Sequence, residues 1–262
     1  MNLATCLHEY KNFYINFPYN IMKGIILAGG NGTRLQPVTK YLNKHLFPIY
    51  NKPMILFPLE TLKSVGIKDI IVIVDRYRAD KIIEFLGSGK DYDVSITYKV
   101  QEQPAGIANA ISLCETITNN EKVFVVLGDN IVFDNLKNDA DNFKNGCKIF
   151  LKRVNDPDRF GVPIFTSEQK IKNIVEKPKD PPNKFAVTGV YIFDNTVYKK
   201  IKICKPSQRG ELEITDVLNQ YAKEQKIEYR ELKNSWIDAG TFSSLYEASE
   251  FVREINLKNK KL

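Results

Sequence analysis

The stretch KGIILAGGNGTRLQP, from Lys23 to Pro37, decides the fold of this chain. Its first part, Gly24–Ala28, is an unbroken apolar run, which predicts a buried strand. Three glycines and then Arg34 follow directly. Glycines let backbone N–H groups approach phosphate oxygens, and an arginine fork matches phosphate geometry. The stretch therefore indicates either a strand with an ordinary structural loop or a strand that ends in a phosphate-binding loop.

Predicted strands and helices alternate after this loop. Strands are predicted at 69–74, 94–100 and 122–130, the last running into a Gly-Asp-Asn turn. The helices between them are predicted from Pro53 to about Val65, at 78–86 and at 106–117. This alternation is typical of βαβ units, which build a parallel sheet.

Three polar loops follow predicted strands. They are the glycine loop, the QEQPAG loop at 101–106 and the Gly-Asp-Asn turn at 128–130. In a parallel sheet the carboxyl ends of the strands share one edge, where ligands collect. We therefore expect the three loops to lie together and to form a binding site.

The pattern changes after Gly146 to short strand-like runs, and helical periodicity returns near the end of the chain. The runs lie at 147–154, 160–165, 170–178 and 185–193, and the helices at 213–225 and 241–255. Together the two halves predict an α/β fold with a mixed, mostly parallel central sheet flanked by helices.

No repeat or low-complexity linker separates the halves, so the sequence predicts one domain. It spans residues 22–256, with lobes at about 22–146 and 147–256. Residues 1–21 are interpreted as an N-terminal extension, with Met22 as an alternative start. Residues 257–262 are interpreted as a basic tail.

Composition excludes several classes of protein. No apolar run approaches the roughly 20 residues of a membrane-spanning helix, and the first residues do not resemble a signal peptide. The four cysteines are widely spaced, which argues against a zinc site or a disulfide framework and favours the cytoplasm. The net charge of +7 is spread along the chain, which favours a solvated surface and anionic small ligands over a nucleic-acid face.

A longer stretch, GGNGTRLQPVTKYLNKHLFPIYNKPMI at 29–55, resembles the signature of the sugar-1-phosphate nucleotidylyltransferases. The resemblance continues through nearly all of the chain to about Phe251, and the nearest subgroup is the glucose-1-phosphate thymidylyltransferases. It is carried by VLGDN (126–130), DPDRFGV (156–162), VEKP (175–178), VTGVYIFD (187–194), PSQRGELEITDV (206–217) and WIDAGT (236–241). It implies a Rossmann-like nucleotide-diphospho-sugar transferase fold. It also implies transfer of a nucleotidyl group from dTTP to glucose 1-phosphate, with release of pyrophosphate and with Mg²⁺ as cofactor.

The resemblance implies a nucleotide site on the first lobe. Its base and ribose residues are Leu27, Gly29 and Gly30, and its triphosphate residues are Gly32, Thr33 and Arg34. The base would be recognised by Gln101 and Gly106, with Pro104 packing between them. An amide such as Gln101 pairs with thymine and uracil alike, so UTP remains an alternative to dTTP.

The resemblance also implies the charged groups of the reaction. The catalytic residues are Arg34, Lys44, Asp129 and Lys177, and the metal carboxylates are Asp129 and Asp238. Such roles suit phosphoryl chemistry, in which positioning and charge neutralisation supply the rate. The alternatives without a catalytic role are a surface lysine at position 44, an Asx-turn at position 129 and a helix cap at position 238. Gly240 or Thr241 fits the cap equally well.

The sugar phosphate would bind on the second lobe. The residues implied for it are Asn130, Gly161, Glu176, Lys177, Val187, Gly189, Tyr191 and Arg209. A surface ion pair between Arg209 and Glu213 is the alternative for Arg209.

The chain departs from the family pattern in three places. His45 and Ala105 stand where the best-known thymidylyltransferases have glutamine and an acidic residue, so both put the nucleotide preference in question. Only 24 residues follow Asp238, so we expect a monomer or dimer rather than a tetramer and weak or absent feedback inhibition. A non-catalytic nucleotide-sugar sensor on the same fold is a further alternative. It would be expected to lack one of the charged residues that this chain keeps.

Overall fold

The computed structural model describes residues 22–259, so the predicted extension at 1–21 lies outside the described residues. The strands are β1 (Met22–Ala28), β2 (Pro48–Ile49), β3 (Lys52–Pro53), β4 (Asp69–Asp75), β5 (Ser95–Gln101), β6 (Lys122–Leu127), β7 (Asn130–Val132), β8 (Cys147–Arg153), β9 (Gly161–Phe165), β10 (Ile171–Glu176), β11 (Phe185–Phe193), β12 (Ile227–Glu231) and β13 (Trp236–Asp238). The α-helices are α1 (Leu56–Ser64), α2 (Ala79–Leu86), α3 (Ile107–Ser112), α4 (Glu115–Thr118), α5 (Lys137–Asn142), α6 (Val197–Ile203), α7 (Ile214–Lys223) and α8 (Phe242–Asn259).

One seven-stranded sheet, ordered β12-β8-β11-β6-β1-β4-β5, forms the centre of the molecule. Strand β11 is antiparallel to both of its neighbours, and the other neighbouring pairs are parallel. The predicted mixed, mostly parallel sheet is confirmed. The sheet crosses both predicted lobes, since β8, β11 and β12 extend the sheet that β1 begins.

Strand β1 is apolar throughout its buried part because helices cover both faces of the sheet. Ile25 and Leu27 belong to a core cluster with residues of α3, α6 and α7. Ile26 and Ala28 face the other way, into a cluster with residues of α1 and α2. Each residue of the run is therefore buried, and the apolar run carries no alternation.

Strands β1, β4, β5 and β6 are parallel, so the loops after them meet at one edge of the sheet. The glycine loop, the 101–106 loop and the Gly-Asp-Asn turn all lie on this edge. A small antiparallel ladder of β7 and β13 lies beside it and pairs Asp238 with Asn130. This ladder brings a segment from the end of the chain to the turn after β6.

Two predicted helices differ in the structure. Pro53 lies in β3, not in the first turn of a helix, and it pairs with Pro48 in a short hairpin. The hairpin is held because the Met54 N–H donates to the Phe47 carbonyl at 2.9 Å, and α1 begins only at Leu56. The helix predicted at 106–117 is divided into α3 and α4, although its buried stripe is kept.

The last helix begins where Thr241 caps it. The Thr241 hydroxyl oxygen accepts the Ser244 N–H at 3.2 Å, so Asp238 has no capping role. The helix continues to Asn259, past the predicted boundary at residue 256. In the part of the chain that the structure describes, no helix is long and apolar enough to cross a membrane.

Phe150 tests the contribution of the central core to stability. Its side chain is fully buried and stacks on Phe124 with ring centroids 6.4 Å apart. We expect Phe150→Ala to lower the free energy of unfolding by about 3–5 kcal/mol, because it leaves a cavity that the sheet cannot fill. Urea denaturation measures the change. Phe85, a half-exposed phenylalanine of α2, is the control, and Phe85→Ala should cost less than about 1 kcal/mol. Equal losses would contradict the burial argument.

Candidate active site

The glycine loop after β1 takes a conformation that its glycines permit. Gly30 and Gly32 have φ values of 103° and 57°, which residues with side chains rarely adopt. The Gly32 carbonyl accepts the Thr39 hydroxyl at 2.8 Å, and Leu35 is fully buried beneath the loop. The loop is therefore fixed at both ends, while the Arg34 side chain stays half exposed at the sheet edge.

A first cavity, here called the glycine-loop cavity, lies over the ends of β1 and β5 and has a volume of about 250 Å³. Its lining includes the predicted base, ribose and phosphate residues Leu27, Gly29, Gly30, Lys44, Gln101, Pro104, Gly106, Asp129 and Lys177. A Cβ atom at position 29 would lie 3.1 Å from the Gln101 Oε1 atom. A glycine at that position therefore lets the Gln101 carbonyl reach the cavity.

Lys44 and Asp129 form the ion pair at the centre of the site. The Lys44 Nζ atom lies 2.5 Å from the Asp129 Oδ2 atom, and both side chains are largely buried. Burial opposes ionisation of Asp129, but the adjacent Lys44 ammonium outweighs it and holds the pKa of this carboxyl well below its usual range. Asp129 is therefore an anion at neutral pH, and Lys44 is not an unpaired surface lysine.

Asp238 lies beside Asp129 because the Ala239 N–H donates to the Asp129 carbonyl at 2.9 Å. Two arginines approach its Oδ2 atom, Arg159 at 3.5 Å and Arg34 at 3.9 Å. Burial, and then the charge of Asp129, raise the pKa of Asp238 to about 6. The arginines therefore balance only part of the unfavourable charge in this pair of carboxylates.

Asn130 holds the frame of the site together. Its Oδ1 atom accepts the Gly189 N–H at 2.9 Å and the Trp236 indole N–H at 2.7 Å, and its amide donates to Asp129 Oδ1 at 3.1 Å. The side chain is almost fully buried. Asn130 therefore connects β11, β13 and Asp129, and its predicted contact with a ligand stays a prediction.

A second cavity, here called the β11 cavity, adjoins the first and has a volume of about 160 Å³. It is lined by the predicted sugar-side residues Asn130, Gly161, Glu176, Lys177, Val187, Gly189 and Tyr191, with Arg34, Asp129, Arg159, Thr215 and Asp238. The two cavities share six lining residues, of which Asp129, Glu176, Lys177 and Glu213 are charged. A ligand in one cavity therefore meets a ligand in the other at these charged groups.

Lys177 is presented to both cavities by an unusual backbone conformation. Its φ of 45° is left-handed, and its N–H donates to the Phe160 carbonyl at 3.0 Å. Strained conformations of this kind concentrate at functional sites. Next to it, Glu176 Oε2 accepts the Thr215 hydroxyl at 2.5 Å, which leaves the Lys177 ammonium 3.7 Å from Glu176 Oε1.

Arg209 lies at the rim of the glycine-loop cavity. Its Nη2 atom is 2.8 Å from Glu213 Oε1 and 3.5 Å from Glu176 Oε1. The alternative interpretation, an ion pair with Glu213, is thus present in the structure. Because the guanidinium also faces the cavity, the pair does not exclude a contact with a phosphate.

The carboxylates fit a divalent cation only in part. Within residues 22–259 no group of three or more histidine, cysteine, aspartate or glutamate side chains could hold a metal ion. Asp129 and Asp238, however, repel each other, and a cation between them would remove this repulsion. Mg²⁺ is typically held by one or two carboxylates together with substrate phosphate oxygens. The donor set therefore fits a metal that arrives with a phosphate ligand.

Comparison with known families agrees with this geometry. The family described as nucleotidyl transferase matches residues 23–255, which is most of the chain. The chain belongs to the nucleotidyl transferase family. The expected fold class and the expectation of an enzyme are confirmed by this match, and the non-catalytic sensor has no support in it.

Several relatives of this nucleotidyl transferase carry a more specific name. A glucose-1-phosphate thymidylyltransferase of Neisseria meningitidis serogroup A is 42% identical over 246 residues, which cover 91% of this chain and 85% of the relative. A glucose-1-phosphate thymidylyltransferase of Mycolicibacterium smegmatis is 40% identical over 242 residues, covering 90% and 84%. The resemblance inferred from the motifs is thus confirmed over most of the chain.

Solved structures give the same result. A Bacillus anthracis protein assigned provisionally as a glucose-1-phosphate thymidylyltransferase, in complex with a sucrose, has a TM-score of 0.85 at 46% identity. The match covers 89% of this chain and 96% of that chain. A UDP-glucose pyrophosphorylase complexed with UDP-glucose has a TM-score of 0.80 at 26% identity, covering 89% and 99%.

Most of the predicted site residues of this nucleotidyl transferase lie together, and only two of them do not line the cavities. Gly32 and Thr33 shape the loop beside them. His45 lies behind Lys44, with its Nδ1 donating to Asn43 Oδ1 at 2.8 Å, and burial and then the Lys44 charge lower its pKa to about 3. The Ala105 carbonyl accepts the Leu212 N–H at 2.8 Å. Neither His45 nor Ala105 is among the residues that line the glycine-loop cavity. The expected monomer or dimer, weak feedback inhibition and cytoplasmic location stay predictions.

Sequence reasoning missed two side chains of the site. Arg159 approaches Asp238 and lines the β11 cavity, and Thr215 holds Glu176. Arg159 is the only cation of the DPDRFGV motif, which was a sufficient signal for assigning it a role. Thr215 gave none, because a threonine inside a helical run is ordinary.

The raised pKa of Asp238 predicts that its negative charge destabilises the folded protein at neutral and higher pH. Its raised pKa means that the folded state holds the proton more tightly, so this carboxyl favours folding at low pH and loses that contribution as the pH rises through about 6. In metal-free buffer at pH 8 we expect Asp238→Asn to raise the free energy of unfolding by about 1–2 kcal/mol, with a smaller gain at pH 5. Urea denaturation at both pH values measures this.

The control is Asp141→Asn, at an exposed carboxylate that pairs with Lys137 at 2.9 Å. It should change stability by less than about 0.5 kcal/mol at either pH. An Asp238→Asn protein less stable than the unsubstituted protein at pH 8 would refute the argument.

Proposed function

We propose that the protein transfers a thymidylyl group from dTTP to glucose 1-phosphate, giving dTDP-glucose and pyrophosphate. The observation that carries the proposal is that Arg34, Lys44, Asp129, Lys177 and Asp238 meet around two adjoining cavities, although they are far apart in the sequence. A reaction between two polyanions needs cations for each phosphate group and carboxylates for a metal. The names of the relatives support the choice of dTTP and glucose 1-phosphate.

The proposed reaction is an in-line displacement at phosphorus. A phosphate oxygen of the sugar phosphate forms a bond to the α-phosphorus of the nucleotide. The bond from that phosphorus to the bridging oxygen breaks, and its electrons leave with pyrophosphate. The protein has little covalent chemistry to supply, so its part is positioning and charge neutralisation. In this assignment Arg34 balances the charge of the leaving pyrophosphate.

The cations of the site lie next to its carboxylates. Lys44 pairs with Asp129, and Arg159 and Arg34 approach Asp238. In the proposed reaction, Lys44 and Arg34 turn to the phosphates of dTTP when it binds. Asp129 and Asp238 would hold Mg²⁺, which when bound neutralises the charge that develops on the phosphate oxygens.

The β11 cavity is assigned to the sugar phosphate. Lys177 contacts both cavities and would hold the phosphate of the sugar, while Glu176, fixed by Thr215, would accept hydrogen bonds from sugar hydroxyls. Val187, Gly189 and Tyr191 would form its wall, and Arg209 a further phosphate contact at the rim. In this assignment the first lobe binds the nucleotide and the second lobe binds the sugar phosphate.

The base is assigned to Gln101 and Gly106. The Gln101 carboxamide can pair with the edge that thymine and uracil share, so the same geometry also supports the UTP reaction as the second candidate. The two bases differ by one methyl group, which is worth roughly 1 kcal/mol in a pocket. A preference for dTTP of about fivefold follows if the methyl group is buried.

A substrate panel tests the proposal. Purified protein is given glucose 1-phosphate, Mg²⁺ and each of dTTP, UTP, CTP and GTP, and pyrophosphate release is measured as an initial rate. We expect dTTP to give the highest kcat/KM, with UTP next. A UTP rate well above the dTTP rate would transfer the proposal to the second candidate. No release with any nucleotide would overturn both candidates.

Lys177 tests the separation between the two halves of the site. We expect Lys177→Ala to raise the KM for glucose 1-phosphate by roughly tenfold or more, because it removes a charged hydrogen bond to the sugar phosphate. The KM for dTTP should change much less. Lys172, an exposed lysine of β10, is the matched control, and Lys172→Ala should leave both values unchanged. A change confined to the KM for dTTP would reverse the assignment of the two cavities.

A further inference from the structure

Gln101 does not face the glycine-loop cavity alone. Its side chain is 7% exposed, and its Nε2 atom donates to the Oδ1 atom of Asn109 at 2.9 Å. Asn109 lies in α3, which begins directly after Gly106. The residue assigned to read the base is therefore hydrogen-bonded to a residue that has no role in the proposed reaction.

This hydrogen bond is made with the Gln101 carboxamide in one of its two orientations. A carboxamide has an acceptor oxygen on one side and a donor nitrogen on the other. With Nε2 turned to Asn109, the Oε1 atom faces the position above Gly29, 3.1 Å from where a Cβ atom would lie there. The cavity is therefore presented with a hydrogen-bond acceptor from Gln101.

The backbone that carries Asn109 is held in place by its neighbours. The Ser112 hydroxyl donates to the Asn109 carbonyl at 2.7 Å, and the Ala110 N–H donates to the Gly106 carbonyl at 3.1 Å. The start of α3 is also attached to the second lobe, since the Ala108 N–H donates to the Leu212 carbonyl at 3.2 Å. The partner of Gln101 thus lies on a fixed turn of helix rather than on a free loop.

We propose that Asn109 is a positioning residue that decides which pyrimidine the site accepts, by keeping the Gln101 carbonyl oxygen toward the base. This inference rests on the proposed function. The N3 atom of thymine and uracil carries a hydrogen and donates to an acceptor, whereas the N3 atom of cytosine carries a lone pair and is repelled by one. A reversed Gln101 would present its NH₂ group and favour cytosine. The choice of base therefore depends on Gln101 and Asn109 together and not on Gln101 alone.

Two substitutions of Asn109 separate this role from a merely structural one. Asn109→Asp keeps an acceptor and removes the donor, so Gln101 can bond only in its present orientation. Asn109→Leu keeps the approximate volume and removes both, so Gln101 is free to turn over. UTP and CTP are the diagnostic substrates, because they differ only at position 4 and at the protonation of N3.

The measurement is the ratio of kcat/KM for UTP to kcat/KM for CTP, with glucose 1-phosphate and Mg²⁺. We expect the unsubstituted protein to favour UTP by at least about tenfold, since the wrong base leaves a buried polar group unpaired. Asn109→Asp should keep this ratio within about threefold, and Asn109→Leu should lower it about tenfold. A ratio that Asn109→Leu leaves unchanged, or that Asn109→Asp abolishes, overturns the proposal.

Ser112→Ala is the control, because Ser112 bonds the backbone of Asn109 and not its side chain. It should leave the UTP-to-CTP ratio unchanged, and the ratio for dTTP to UTP should be the same in every variant. If the unsubstituted protein releases no pyrophosphate, the proposed function fails while the inference is still tested by calorimetric titration with UTP and CTP. In that titration we expect the ratio of UTP affinity to CTP affinity to be kept by Asn109→Asp and lowered by Asn109→Leu. Equal affinity of the unsubstituted protein for the two nucleotides, or binding of neither, overturns the inference.

Discussion

The structure depends on one electrostatic constraint, the placement of two carboxylates next to each other in a partly buried site. Asp129 ends the turn after β6 and Asp238 ends β13, and the β7–β13 ladder joins the two segments through the backbone. Burial, and then the charge of Asp129, disfavour the ionised form of Asp238 and raise its pKa. Lys44, Arg34 and Arg159 surround the pair and keep the folded state compatible with it. This pair of carboxylates does little to stabilise the fold. Carboxyl groups with pKa values shifted in this way cluster at functional sites.

The same constraint explains how the proposed substrates fit. Lys44 lies next to Asp129, and Arg34 and Arg159 lie next to Asp238. A triphosphate and a divalent metal bring opposite charges in together, and each can replace one partner of an existing pair. In the proposed complex the cations would hold phosphates and the carboxylates would hold the metal. This exchange is a physical reason for a site with two carboxylates and no third metal ligand among the described residues.

The strands of the sheet were predictable because they are apolar runs covered on both faces, as at Ile25–Ala28. The charged residues were predictable from motifs, since Arg34, Lys44, Asp129 and Asp238 each stand at a fixed place in one. Features that arise from distant pairing were not. Pro53 suits a first helical turn, and only its pairing with Pro48 shows that it belongs to the β2–β3 hairpin. The buried bonds of Asn130 to Gly189 and Trp236 were not predictable either, because they depend on strands far along the chain.

Gly106 lets the loop that would contact the base pack against the segment that would contact the sugar phosphate. Its φ of 97° suits glycine, and a Cβ atom there would collide with the backbone of Leu212. The close approach lets Ala105 and Ala108 exchange two backbone hydrogen bonds with Leu212. Leu212 lies between Arg209 and Glu213, which face the cavity shared with Lys177. The loop that would contact the base and the segment that would contact the sugar phosphate are therefore fixed to each other. In-line attack requires the two substrates to be aligned to within a fraction of an ångström, and a direct backbone connection between their binding elements is a way to hold that alignment.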